Sequence, residues 1–201
     1  SIERIIAKRF TISDISVLPR FQNYEALINT VSTFNIKEKY KPFVFILLYI
    51  GKLNHESTLY RAIDSARFVL QNPRVGMVVL GDGLAKKEFE RRTKILGIEK
   101  QVVFESDVND IVPYLKSANL LITTDIDNDA DQIVLQGAAA GVPLIMSRTP
   151  KREDIFEHGT SAYLCEESDT QAFTDRINDL LNNVGLRRIF TENAQALIIQ
   201  K

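Results

Sequence analysis

The sequence predicts an α/β protein organised around a doubly wound parallel sheet, and three observations carry that expectation. Two apolar runs, Phe43–Ile50 and Val75–Leu80, are uninterrupted and stop at glycines, as strands buried on both faces do. Amphipathic segments with helical spacing follow them. The alternation of strand, turn and helix then repeats along the chain, which is the order that builds a parallel sheet covered by helices. One compact domain accounts for residues 43–185, and the two ends are the less regular parts.

Taken in order, Ser1–Arg9 has apolar residues at 2, 5 and 6 among basic ones and reads as the end of a short amphipathic helix. Ile15–Phe21 reads as a brief strand ended by Pro19, and Tyr24–Phe34 has helical spacing through Leu27, Ile28, Val31 and Phe34. After the first buried run, a helix is expected from Ser57 to Leu70 with Leu59, Ile63, Ala66 and Leu70 inward, ending before Pro73. After the second, Gly81-Asp82-Gly83 turns into a charged helix, Ala85–Leu96, closed by Gly97. Val102–Phe104 and Leu120–Thr124 are further strands, with a helix Asp110–Lys116 between them. Pro143–Ser147 continues the sheet and Ser161–Cys165 forms its edge; residues 151–157 make a loop or short helix between them. Helices Thr170–Leu181 and Leu186–Ile199 finish the chain.

Bulk composition narrows the function classes. A chain of 201 residues buries about 70% of its unfolded surface and needs no covalent staples. With 25 basic and 26 acidic residues, no global field draws in nucleic acid or an anionic membrane, so any anion site is local. The single Cys165 has no internal disulfide partner and no His or acid at suggestive spacing, which fits a core residue in a reducing compartment. His55 and His158 form no metal-ligand pattern, so no metal is expected. The longest apolar run is too short to cross a bilayer and the start lacks a cleavable signal pattern. A cytoplasmic protein that does not bind nucleic acid is the expectation.

The stretch Ala118–Ser147 concentrates the candidates. It reads as a strand, an acidic loop (Asp125–Asp131), a small-residue helix (Gln132–Ala140) and a second strand. That places the loop at the carboxyl end of a buried strand, where open α/β sheets bind ligands. Lys52, on the glycine turn after the first run, and the helix terminus near Gln132 suit an anion. The loop acids Asp127, Asp129 and Asp131 either face a ligand or are simply solvated. Gly81 and Gly83 either approach a ligand or only make a tight turn. A dinucleotide or receiver-like domain fits less well, because no G-x-G-x-x-G follows the first strand.

Six segments in this order resemble one family. They are YIGKL (49–53), VVLGDG (78–83), LGIEKQVVF (96–104), IVPYLKSANLLIT (111–123), GVPLIMS (141–147) and EDIFEHGTSAYL (153–164). Together with the two final helices they resemble the C-terminal, Rossmann-like donor-binding domain of the group-one glycosyltransferases of GT-B architecture, over about residues 15–198. The resemblance implies a retaining hexosyltransferase with a UDP-, GDP- or ADP-sugar as donor substrate, no prosthetic group, and a glycan, lipid or protein acceptor. It also implies an N-terminal domain outside these residues, with 1–14 as a possible tail of it and 15–201 as the nucleotide-sugar-binding domain.

The same resemblance assigns roles. Gly51 and Lys52 meet the diphosphate, as does the helix terminus at Asp131, Gln132 and Ile133; Lys52 and Asn128 are the catalytic candidates. Ser57 joins the donor site, Gln136 meets the ribose, Gly81 and Gly83 and the backbone from Glu105 to Val108 lie by the base, and Asn128 lies by the sugar hydroxyls. At four positions the chain departs from the family pattern: Lys52 replaces an arginine, Ser57 a lysine, and Asn128 and Gln136 the two signature glutamates. Amides and a hydroxyl keep hydrogen bonding but lose charge, and bonds to charged partners contribute about 1.5–3 kcal/mol against about 0.5–1.5 for neutral ones. A catalytically inactive binding or scaffold module is therefore the alternative reading.

Overall fold

The computed structural model describes residues 24–32, 35–106 and 108–199. The helix expected at Ser1–Arg9, the strand at Ile15–Phe21 and the boundary between residues 14 and 15 lie outside them.

Six strands form one all-parallel sheet: β1 (Phe45–Ile50), β2 (Val75–Leu80), β3 (Val102–Glu105), β4 (Leu120–Thr123), β5 (Leu144–Ser147) and β6 (Tyr163–Cys165), in the order β3-β2-β1-β4-β5-β6. Side chains of β1 alternate between two cores. Phe45, Leu47 and Tyr49 enter one and Ile46 and Leu48 the other, all buried, which is why the run carries no polar residue. Register follows from this pattern: Phe45 pairs with Val75 and Ile50 with Leu80 along β2, while Leu47 and Leu48 pair with Leu120 and Leu121 of β4. The expected start of β1 at Phe43 moves to Phe45. Phe43 instead covers Gly76, where a Cβ would lie 2.1 Å from its ring.

Nine α-helices are described: α1 (Tyr24–Asn29), α2 (Ile36–Lys39), α3 (Leu59–Ala66), α4 (Lys86–Ile95), α5 (Val112–Ser117), α6 (Asn128–Ala140), α7 (Pro150–Glu153), α8 (Thr170–Asn182) and α9 (Val184–Ile199). Helix α3 ends sooner than its apolar spacing suggests and a 3₁₀ turn, Val69–Gln71, completes that segment; Leu59, Ile63, Ala66 and Leu70 are all fully buried as expected. Helices α3 and α8 cover one face of the sheet, and α6 covers the other with α1 and α9 against it. Helix α6 lies close on the strands because Gly137 has no side chain: a Cβ there would be 2.5 Å from Leu121 Cδ2. Gly141 closes the helix at φ 83°, the left-handed cap that glycine favours.

This strand order reverses direction between β1 and β4, so the loops leaving their carboxyl ends diverge and open a crevice there. Among the described residues, no helix is long and apolar enough to cross a membrane.

Candidate donor cleft

The crevice is a cleft of about 650 Å³ at the carboxyl ends of β1, β2 and β4. Its walls are the turn after β1 with Gly51 and Lys52, the turn after β2 with Gly81 and Asp82, Val108 and Ile111 beyond β3, and one face of α6. That face carries Asp129, Gln132, Ile133 and Gln136, spaced three, four and seven residues apart, which is the spacing of one helical stripe. A smaller recess of about 80 Å³ continues from Lys52 toward Ser57 and is bordered by Glu56, Asp125, Asp127 and Asp129.

The helix begins earlier than the sequence suggests. Asn128 is its first residue and Asp127 its cap, with the Asp127 carboxylate accepting from the Ala130 N–H at 2.7 Å and its carbonyl from Asp131 N–H at 3.1 Å. The expected loop Asp125–Asp131 is therefore a short connection plus the first helical turn, and Gln132 lies inside the helix. Acids in that turn are favourable because they face the positive end of the helix dipole. The consequence is that Asn128 and Gln136, eight residues apart, are about 80° apart around the axis. Gln136 faces the cleft and Asn128 lies outside its lining, on the exposed outer edge, where Lys151 Nζ is 3.4 Å from its Oδ1.

Asp131 also leaves the cleft. Its carboxylate lies 2.9 Å from Nε of Arg152 and 2.8 Å from Nζ of Lys151, so it is part of an ion pair and not of the cleft lining. Arg152 is 1% exposed; it donates in addition to the carbonyls of Ser147 at 2.9 Å and Asp125 at 2.7 Å. One guanidinium thus joins the ends of β4 and β5 to the first turn of α6. The sequence showed only a charged segment here, and no periodicity distinguishes a buried arginine from an exposed one.

Glu105 is likewise committed elsewhere. Its carboxylate accepts from Tyr40, Tyr114 and Lys39, tying α2 and α5 to β3, while its carbonyl accepts from Gly81 N–H at 2.9 Å. Burial pushes this carboxyl up, but the hydrogen bonds and the Lys39 charge outweigh burial and hold it below the ordinary range. Among the described residues of that segment, Val108, beyond it, is the one that lines the cleft.

Gly81 and Gly83 are explained by the close approach of two backbones. A Cβ at Gly81 would lie 1.9 Å from the Gly51 carbonyl and one at Gly83 2.3 Å from that of Leu53. Hydrogen bonds Gly51 N–H to Leu80, Leu53 N–H to Asp82 and Ala85 N–H to Leu53 zip the two turns together. Gly81 still lines the cleft; Gly83 does not.

Lys52 is exposed and bridges the cleft to Asp129, Nζ to Oδ2 2.6 Å; that carboxylate, with Asp127 behind it, raises the pKa of the ammonium. Ser57 is buried and its hydroxyl lies 3.1 Å from Tyr49 Oη. Tyr49 in turn donates to the Asp125 carboxylate, which also accepts from Thr58 N–H at 2.7 Å and lies 2.8 Å from the Thr58 hydroxyl. Burial, reinforced by that carboxylate, keeps the Tyr49 phenol protonated well above its ordinary range. The side-chain Oε1 of Gln136 is buried with no hydrogen-bond partner, as are Ser65 Oγ and Thr123 Oγ1 among the described residues. Buried acceptors are normally satisfied, so Gln136, which borders the cleft, carries an oxygen that lacks its usual partner. No group of three potential metal-ligating side chains occurs among the described residues.

The family model for Glycosyl transferases group 1 matches residues 33–197. An N-acetyl-alpha-D-glucosaminyl L-malate synthase of Bacillus anthracis is 23% identical over 156 residues, covering 78% of this chain and 41% of that protein. A putative glycosyltransferase of Bacillus subtilis is 26% identical over 145 residues, covering 72% of this chain and 38% of that one. The chain thus spans less than half the length of these curated relatives. Among solved structures, the C-terminal domain of a group 1 family glycosyl transferase from Francisella tularensis superposes with a TM-score of 0.77 at 18% identity, covering 90% of this chain and 98% of that one. The Anabaena protein HepE, in complex with UDP and glucose, superposes at 0.72 with 20% identity, covering 82% of this chain and 46% of its own. The sheet and its helices are those of the Rossmann-like half of a GT-B protein.

Two expectations follow from the ion pairs that frame the cleft. Arg152→Ala leaves Asp131 and two carbonyls without their shared partner and is expected to lower stability by about 3 kcal/mol in urea unfolding. Replacing Glu105 by Gln removes a carboxyl whose folded-state pKa is depressed below its ordinary 4.5. The stability difference between wild type and Glu105→Gln is therefore expected to be full near neutral pH and to shrink as pH falls below the ordinary carboxyl value of 4.5, read from unfolding midpoints.

Proposed function

The chain belongs to the group 1 glycosyl transferases, and from that premise we propose that its cleft binds a nucleotide-sugar donor whose sugar is transferred to an acceptor. The observation that carries this reading is Gln136, which lines the cleft at the switch point of the sheet and whose buried Oε1 has no hydrogen-bond partner. A ribose hydroxyl supplies the hydrogen bond that this oxygen lacks. Lys52 then stands on the diphosphate, Gly51 and Gly81 allow backbone approach, and Val108 and Ile111 give apolar contact for the base. The similar Anabaena fold was solved with UDP and glucose, which supports a nucleotide-sugar as the donor class. Asn128, at the outer end of the helix, is left toward the sugar.

In this reading the bond between the anomeric carbon and the diphosphate breaks, and its electron pair leaves with the nucleoside diphosphate. The acceptor hydroxyl oxygen forms the new bond to the anomeric carbon and its proton passes to the leaving diphosphate. Lys52 acts where negative charge develops on the leaving phosphate, so it favours the transition state over the ground state. Retention of configuration, a hexose donor and an N-terminal domain that carries the acceptor and closes the cleft go with the family resemblance, and a cytoplasmic location goes with the single Cys165.

One observation favours the alternative of a catalytically inactive binding module. Ser57, in place of the family's lysine, is enclosed with Tyr49 and Asp125, and Lys52 is the only cation among the described residues lining the cleft and its recess. Sugar turnover by the protein with its N-terminal half, abolished in Asn128→Ala, excludes that alternative.

Calorimetric titration with UDP-, GDP- and ADP-sugars tests the donor site. Binding of one of them is expected, weakened about tenfold by Lys52→Met and also by Gln136→Leu, the first corresponding to loss of one charge-assisted hydrogen bond. Absence of heat with all three overturns the reading.

A further inference from the structure

We propose that Asp129 sets donor affinity by competing with the diphosphate for Lys52. This inference rests on the donor-site reading above and adds a residue that the family resemblance did not assign. Asp129 Oδ2 lies 2.6 Å from Lys52 Nζ, and both residues border the cleft and the recess beside it. The helical stripe that carries Gln132, Ile133 and Gln136 along the cleft carries Asp129 at its outer end, opposite the glycine turn. Its carboxylate therefore already takes one of the ammonium's three N–H donors on the cleft side.

The surrounding charges make the competition matter. Glu56, Asp125, Asp127 and Asp129 border the recess, whereas Lys52 is the single cation among the described residues lining it. Lys151 and Arg152, the nearby cations, are paired with Asp131 on another face of the helix. A diphosphate that approaches Lys52 competes with Asp129 for the ammonium, whose charge the carboxylate already offsets. Because the Lys52 and Asp129 side chains are 73% and 62% exposed, the pair itself is weak and exchange is feasible. The residue thus lowers affinity without blocking the site.

UDP, GDP and ADP are the probes, titrated by calorimetry into this chain, Asp129→Asn, Lys52→Met and the double variant. Asp129→Asn is expected to bind the preferred nucleotide about fivefold more tightly, equivalent to about 1 kcal/mol at 1.4 kcal/mol per tenfold. The gain should shrink at high salt and disappear in the Lys52→Met background. Asp129→Ser, which keeps a residue tolerated in a first helical turn, should reproduce it, so a folding defect of one variant does not decide the matter. Unchanged or weaker binding by both Asp129 variants, with Lys52→Met still harmful, overturns the proposal and leaves the donor site standing. An equal gain with and without Lys52 also overturns it, because Asp129 would then act by plain repulsion. No binding of any nucleotide to wild type or variants overturns the donor-site reading together with it.

Discussion

The buried guanidinium of Arg152 is the constraint on which the cleft depends. It reaches the carbonyl of Asp125 after β4, that of Ser147 at the end of β5, and the carboxylate of Asp131 in the first turn of α6. Charge is costly to bury unless every partner is present, and here each nitrogen of the guanidinium has one. The connection from β4 to α6 cannot shift without exposing or orphaning one of these groups. The helix is therefore held in one rotation about its axis, and that rotation decides which of its side chains face the ligand.

From the rotation, two stripes follow. Asp129, Gln132, Ile133 and Gln136 face the cleft, while Asn128 and Asp131 face Lys151 and Arg152. Spacing along the sequence alone suggests that Asn128 and Gln136 act together, since both replace signature glutamates. In the folded chain they are about 80° and about 12 Å apart along the helix, so they serve different parts of any bound molecule. Asp129, next to Asn128 in the sequence, shares the cleft wall with Gln136 where Asn128 does not.

Much of the fold was legible because burial on two faces leaves an unmistakable apolar run. Val75–Leu80 is a strand from first residue to last, and Leu59, Ile63 and Leu70 turn inward as their spacing requires. The start of α6 was not legible in the same way. Asn and Asp are poor residues inside helices, so Asp125–Asp131 reads as a loop by propensity. The competing signal was present in Asp127 as a cap followed by acids in the first turn, and capping with the helix dipole outweighs propensity there. The resemblance puts the Glu105 backbone by the base, but it does not reveal that Tyr40, Tyr114 and Lys39 converge on its carboxylate from α2 and α5. Such long-range polar partners are set by tertiary packing, which no local pattern encodes.

The exchange of charges around the recess has one coherent physical sense. Where the resemblance calls for a lysine, Ser57 is buried against Tyr49, and Tyr49 is fixed by Asp125. A lysine at that position would place an ammonium beside the Asp125 carboxylate and neutralise it; the serine leaves the carboxylate supported only by neutral donors, the Tyr49 and Thr58 hydroxyls and the Thr58 N–H. Neutral hydrogen bonds hold a carboxylate in place without cancelling its field. The recess therefore keeps its negative charge, and Lys52, drawn across the cleft to Asp129, is the group through which an anion must work. A diphosphate bound as proposed meets a cleft whose one lining cation among the described residues, Lys52, is already paired with a carboxylate.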